Sequence, residues 1–243
     1  MTRTRSIANA SKRRRPAQGG YARGEETRAR IVAAALEVFG VHGFGGASTR
    51  MLAEKAGVTL PALHYYFDSK EGAYLACAEH IAERMRVHLG AATGQIEKLL
   101  VQPQTSPARL LAALLGFLDQ LTDLFLGEHE LEKWVQFLIR EQAQPTKAFD
   151  ILFERMMRRV LAACTALVAR LLGRPETDKE VAVRTLALIG QIIFFRTARE
   201  AALRVLNWRD FQDNRRAIVK RALRTQITAG LCATRKSSRR SRS

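Results

Sequence analysis

Between residues 49 and 70 the sequence gathers groups suited to gripping a nucleic-acid duplex rather than to making or breaking bonds. Hydroxyls stand at Thr49, Thr59, Tyr65 and Tyr66, cations at Arg50 and Lys70, and an imidazole at His64. Such groups divide between phosphate oxygens, which position a protein on DNA, and base edges, which specify the sequence. Thr59 and His64 can hydrogen-bond base edges, and Leu60 and Ala62 can touch a thymine methyl. Tyr65 shares their face. Arg50 suits either job, Lys70 begins a helix, and Tyr66 offers a hydroxyl while also helping to fill a core.

Two short helices would hold these side chains. Ser48 is a good N-cap, and Met51, Leu52 and Ala56 then fall on one helical face. Gly57 can stop that helix in a left-handed conformation, with Val58 pointing back to the core. Thr59 caps the second helix, and Pro61 sits in its first turn, where an amide has no helical partner. Leu63, Tyr66 and Phe67 give it a buried face. Residues 48–67 therefore read as a helix-turn-helix, whose second helix enters a major groove. The same pattern also suits an αα-hairpin with no nucleic-acid role.

The chain has 243 residues and a net charge of +17. No strand-like alternation occurs, so the expected fold class is all-α. Residues 1–23 carry Arg3, Arg5, Lys12, Arg13, Arg14, Arg15 and Arg23 without an acid, and residues 233–243 carry Arg235, Lys236, Arg239, Arg240 and Arg242. Both blocks read as disordered tails, either solubilising or bound to a polyanion, with the Arg13–Arg15 cluster suited to a minor groove. Cys77, Cys164 and Cys232 read as reduced, structural thiols. The first residues lack the apolar core of a signal peptide, and the longest apolar runs are too short to span a bilayer. A soluble, cytoplasmic protein without a membrane partner is expected.

Taken in order, residues 1–23 form an arm and residues 24–84 a three-helix DNA-binding domain. Its first helix should end at Gly40, followed by a glycine-rich loop in which Phe44 plugs the core. Asp68 and Glu71 are spaced as a capping box for a helix running to about Leu89. Residues 90–106 suggest a break with a short helix near Gln95–Val101. Residues 85–232 form a regulatory and dimerisation domain, a helical bundle with helices near 108–126, 131–142 and 146–172, then 178–206 and one closing near Cys232. Residues 233–243 form the second tail.

Thr49-Arg50 through Gly57-Val58, Leu63-His64-Tyr65-Tyr66-Phe67 and Ser69-Lys70-Glu71 together resemble the signature of TetR-type transcriptional regulators. More weakly, Phe137-Leu138-Ile139-Arg140-Glu141-Gln142, Pro145-Thr146, Phe195-Arg196 and Arg199-Glu200 resemble the CecR-type subgroup, as does Tyr74-Leu75-Ala76-Cys77-Ala78. His64 departs from the pattern, since the wider family most often has an aromatic there. The resemblance implies phosphate contacts from Lys70, Thr49 and Tyr66, a homodimer formed by the last two helices, and a palindromic operator on double-stranded DNA. It also implies repression relieved by a small-molecule effector, with efflux or antibiotic sensitivity as the analogous setting.

The residues support parts of this. Leu186, Ile189, Ile193, Ile218, Leu223 and Ile227 are very apolar for a solvated surface, so they face either a partner or the core of their own chain. Trp134, Phe137, Phe153, Met157 and Phe194 could line an apolar effector pocket with Arg140, or be ordinary core. Arg140, Glu141, Arg196, Arg199 and Glu200 could be an internal ion network or hold an anionic ligand group. No acid/base pair, nucleophile or metal-ligand spacing stands out: His80 and His88 are eight residues apart without a suitable carboxylate between them. An enzyme, a metal and a cofactor are not expected. The competing reading is a general nucleic-acid binder driven by its basic tails.

Overall fold

The computed structural model describes residues 18–127 and 129–240, with side chains left undescribed at 18–21, 129–132 and 232–240. The chain is all-α, as expected. Its helices are α1 Gln18–Gly46, α2 Thr49–Ala56, α3 Leu60–Phe67, α4 Lys70–Val101, α5 Pro107–Leu126, α6 His129–Ala143, α7 Lys147–Leu152, α8 Arg158–Leu172, α9 Lys179–Thr197, α10 Arg199–Leu206 and α11 Asp213–Arg240. A π-helical turn, Phe153–Met157, carries α7 into α8 without a break.

One continuous core runs from Ile31 in α1 to Leu231 in α11. α1, α2 and α3 pack into a small head, with α4 lying across both α1 and α3. The body packs α4 against α5, α7 and α8, and α5 against α9 and α11. α6 bridges the two parts by lying on α1 while touching α5 and α7.

Several boundaries differ from the sequence reading. α1 continues past Gly40 and kinks at Gly43, whose φ of 67° and ψ of −179° belong to backbone that glycine alone adopts readily. α4 runs unbroken for 32 residues through Gly90 and Gly94. An interior glycine costs only about 1 kcal/mol relative to alanine, and Leu89, Ala92, Ile96 and Leu99 bury the same stretch. Ser69, not Asp68, caps α4, its hydroxyl accepting from the Gly72 amide at 3.0 Å. α9 and α10, expected as one helix, bend by 81° at Ala198. α11 continues as helix to Arg240, so a disordered tail over 233–240 is not found. The expected arm falls mostly outside the described residues, although residues 18–23 are already helical in α1.

Among the described residues no single helix is long and apolar enough to cross a membrane. The α9–α10 pair passes on composition only, and α9 buries Val181, Leu188 and Ile192 in the body. Cys77 and Cys164 are buried free thiols. Loss of hydration raises both, Cys164 to about 12, which leaves them protonated and unreactive. Cys232 lies beyond the described side chains.

Candidate nucleic-acid interface

The local chemistry of the helix-turn-helix is visible bond by bond. Ser48 Oγ accepts from the Met51 amide at 3.2 Å, and Thr59 Oγ1 accepts from the Ala62 amide at 3.3 Å. Gly57 closes α2 at φ 62°, ψ 40°, the left-handed cap position. Leu52, Leu63 and Phe67 are buried and belong to the same apolar core as Ile31 and Phe39 of α1. This anchoring turns the other side of α3 to solvent. Tyr65 is 85% exposed and Leu60 40%, while Thr59 and His64 are also exposed and Ala62 is half-buried.

The expected contact residues therefore fall into three settings. Thr59, Leu60, Ala62, His64 and Tyr65 form one accessible surface on α3. His64 Nδ1 donates to the Asp68 carbonyl at 2.7 Å, which leaves Nε2 as the nitrogen for an outside partner. Tyr66 is half-buried and packs edge-on to Tyr65 at 5.3 Å. Arg50 is exposed and Thr49 half-buried at the start of α2. Lys70 is placed differently from expectation. Its ammonium donates to the Phe44 carbonyl at 2.9 Å and the Ala47 carbonyl at 3.0 Å, and sits 4.5 Å from the Phe44 ring centre. Those bonds satisfy the carbonyls left over at the end of α1. They make Lys70 a clamp on the α1–α2 joint, with at most one N–H left for a phosphate.

The head is fixed to the body by a junction that sequence reasoning missed. Phe39, Phe44, Tyr74 and Phe137 form an aromatic cluster with ring centres 4.6–6.4 Å apart, spanning α1, α4 and α6. Tyr74 Oη donates to Glu141 Oε1, and the other oxygen of Glu141 accepts from the Thr146 amide and hydroxyl, both at 3.0 Å. Glu37 on α1 sits between Lys55 of α2 at 2.8 Å and Lys133 of α6. The Lys133 hydrogen bond, then that of Lys55, holds its carboxyl below the usual range. Arg140 Nη2 donates to the Gly40 carbonyl at 3.2 Å, and its guanidinium lies where a side chain on Gly43 would begin, 2.0 Å from an ideal Cβ.

The tentative effector residues lie in separate settings among the described residues and line none of the three clefts described below. Trp134 is packed by His80, Arg84 and His88 of α4. Phe137 and Arg140 belong to the junction just described. Phe153 and Met157 are half-buried in the π-helical turn, and Phe194 is 55% exposed on α9. Clefts of 330, 320 and 220 Å³ are lined by other residues. Of the five charged residues, Glu141 is satisfied by Tyr74 and Thr146, Arg199 pairs with Glu200 at 3.2 Å, and Arg196 and Arg199 border the 220 Å³ cleft beside Phe125, Phe211 and Asp210. Among the described residues no cluster of three or more His, Cys, Asp or Glu is placed to hold a metal.

The expected dimer residues also divide. Leu186 is 57% exposed and Ile189 and Ile193 half-buried on α9, as is Ile218 on α11. Leu223 and Ile227 are only 7% and 3% exposed in the single chain. They face inward, where α11 packs on α5 and α8, so they belong to the core. An exposed apolar row nonetheless runs along α9 through Val183, Leu186 and Phe194.

Residues 31–77 match the family described as bacterial regulatory proteins, tetR family, and residues 110–234 match the C-terminal domain of the HTH-type transcriptional dual regulator CecR. The HTH-type transcriptional dual regulator CecR of Shigella flexneri is 31% identical over 205 residues, covering 84% of this chain and 91% of that protein. Among solved structures, a transcriptional regulator from Rhodococcus sp. Rha1 superposes with a TM-score of 0.57 at 16% identity, over 84% of this chain and 96% of that one. The transcriptional regulator FadR of Bacillus subtilis, solved in complex with stearoyl-CoA, gives 0.56 at 18% identity, over 83% and 98%.

Proposed function

The chain belongs to the TetR family of bacterial regulatory proteins, with a C-terminal domain of the CecR type, and from that premise we propose that it is a ligand-responsive repressor that binds a palindromic operator as a homodimer. The observation that carries this reading is the accessible face of α3, where Thr59, Leu60, His64 and Tyr65 stand out from a helix anchored by Leu63 and Phe67. Residues 24–84 act as the reading head and residues 85–232 as the regulatory and dimerising body. Thr49, Arg50 and Tyr66 hold phosphates, and the exposed face of α3 reads base edges.

One head spans few base pairs, so two are needed for affinity. The exposed apolar row on α9, with Ile218 on α11, supports pairing with a second copy. Twofold symmetry then sets half-sites about 34–36 Å apart along the duplex. A small molecule bound in the body favours a conformation in which the heads no longer match that spacing. FadR, which shares this fold, was solved with stearoyl-CoA, in keeping with an apolar or amphipathic effector. The analogy to CecR suggests efflux or antibiotic-sensitivity genes as targets, and a cytoplasmic site of action.

A mobility-shift titration on DNA upstream of the protein's own gene tests the reading. Saturable binding to one site, resistant to unrelated competitor DNA, is expected. Unsaturable, sequence-indifferent binding would sink it in favour of a general nucleic-acid binder.

A further inference from the structure

We propose that the 220 Å³ cleft at the α9–α10 bend is the effector site, and that it takes a small molecule combining one aromatic ring with a carboxylate. This deepens the ligand-responsive reading above and rests on it. The cleft lies where three parts of the body meet. Phe125 and Leu126 close α5, Arg196 and Arg199 flank Ala198 at the bend, and Asp210 with Phe211 leads into α11.

The charge of the cleft favours an anion. Two guanidinium groups three residues apart line one small space. The acid there, Asp210, is already matched: its Oδ1 accepts from the Gln212 amide at 2.9 Å and from Arg215 at 2.7 Å. Arg199 pairs with Glu200 at 3.2 Å, but the Glu200 side chain is 76% exposed, and an exposed pair of that kind contributes little. A planar carboxylate offers the Arg199 guanidinium two parallel hydrogen bonds in its place. Arg196 adds positive potential from the other side of Ala198.

The walls favour a ring. Phe211 is buried and held edge-on by Phe195 and Trp208, each with its ring centre 6.0 Å away. Phe125 is half-buried on the wall supplied by α5. A flat ring beside these faces gains offset or edge contacts that a saturated ring does not. Size narrows the class further. Pockets for drug-sized ligands run to about 300–1,000 Å³, so 220 Å³ suits a one-ring acid.

The position of the cleft links it to the rest of the molecule. A carboxylate held by Arg199 bears on the bend that ends α9, the helix whose exposed row of Val183, Leu186 and Phe194 is proposed for pairing. Gly127 lines this cleft and also the 330 Å³ cleft formed with His88 and Leu89 of α4. One corner of the body therefore adjoins both the pairing helix and the helix that carries the head.

Calorimetric titration of the full chain with benzoate, benzamide and cyclohexanecarboxylate tests the site. Benzoate should bind saturably. Benzamide, which lacks the charge, should bind about tenfold more weakly or worse, and cyclohexanecarboxylate about threefold more weakly. These comparisons need no variant. An Arg199→Gln variant with an unchanged melting temperature should lose about tenfold or more in benzoate affinity. In a mobility shift on a site the full chain selects from a random-sequence library, benzoate should weaken binding by the parent chain and leave the Arg199→Gln variant unaffected. Benzoate that fails to bind, binds no better than benzamide, or binds Arg199→Gln equally well would overturn the site and leave the repressor reading intact. Equal binding of cyclohexanecarboxylate would overturn the ring preference. Binding without a change in operator affinity would overturn the effector role. A full chain that selects no site would overturn the repressor reading itself, and the effector role with it.

Discussion

Tyr74 Oη donates a 2.6 Å hydrogen bond to Glu141 Oε1 within the core and so ties α4 to α6. Glu141 is 1% exposed. A carboxylate stripped of water needs several donors, and Tyr74 with the Thr146 amide and hydroxyl supplies three. Burial, and then the Glu141 bond, lifts the Tyr74 phenol above its ordinary range and keeps it a donor. Tyr74→Phe removes one donor and should cost about 1–3 kcal/mol in denaturant unfolding. Thr146→Val should cost a similar amount. Because both act on one carboxylate, their double mutant should be non-additive, and simple additivity would argue against a shared site.

Gly43 is held at φ 67° with the Arg140 guanidinium filling the space of a side chain. Gly43→Ala combines backbone strain of about 1–3 kcal/mol with a collision. Adding Arg140→Ala should relieve the collision but not the strain, giving a partial recovery of thermal stability. Full recovery would assign the whole cost to the collision.

Tyr65 and Lys70, both singled out for DNA contact, should separate under mutation. Tyr65→Ala alters an 85% exposed side chain. It should leave the melting temperature unchanged and weaken operator binding by about 1–3 kcal/mol, about fivefold to 150-fold. Lys70→Ala frees the Phe44 and Ala47 carbonyls and should destabilise the head. A Lys70 variant with native stability but no DNA binding would restore the phosphate role in full.

The two apolar sets expected at the dimer interface should behave oppositely. Leu186→Glu places a charge on the exposed α9 row and should yield a folded monomer by sedimentation. Ile227→Ala opens a hole in a site 3% exposed and should lower unfolding free energy by about 2–5 kcal/mol. An unchanged oligomeric state in the Leu186 variant would remove α9 from the interface.

His80 is held below its usual range, first by burial and then by Arg84 and Arg28. A histidine with a depressed folded value binds fewer protons folded than unfolded. Its unpenalised state is therefore present above the unfolded value near 6.5, and stability falls as pH drops below that point. Comparing melting at pH 7.5 and 5.5, His80→Gln should lose less stability than the parent chain. An equal loss would assign the pH dependence to other groups.

The parts of this fold that were legible in the sequence are those fixed within a few residues. Ser48, Gly57 and Thr59 act on amides three or four positions away, so the turn and both short helices of the reading head could be placed from residue type alone. Gly90 and Gly94 misled because a cost of about 1 kcal/mol per glycine is outweighed by packing on α5 and α8, which local sequence does not display. The bend at Ala198 involves neither glycine nor proline and carried no signal. Leu223 and Ile227 were apolar enough for either face, and only the packing of α11 on α5 and α8 decided between them. Lys70 looked available because its acceptors, the carbonyls of Phe44 and Ala47, are carried by any residue type. The Tyr74–Glu141 pair spans 67 positions, and its sole trace was an acid within an apolar helix.

The unbroken α4 has a mechanical consequence. Thirty-two residues make a strut about 48 Å long, seated in the body at one end and against α3 at the other. A tilt of about 5° at the Leu99 end displaces the Lys70 end by about 4 Å, more than the spacing between neighbouring base pairs. Such leverage would turn a small repacking in the body into a shift of the α3 end, provided the strut does not flex. Gly90 and Gly94 meet nothing within 4 Å at an ideal Cβ, so alanine fits at both. The double alanine helix should be stiffer, and the amplitude transmitted to the DNA end correspondingly larger.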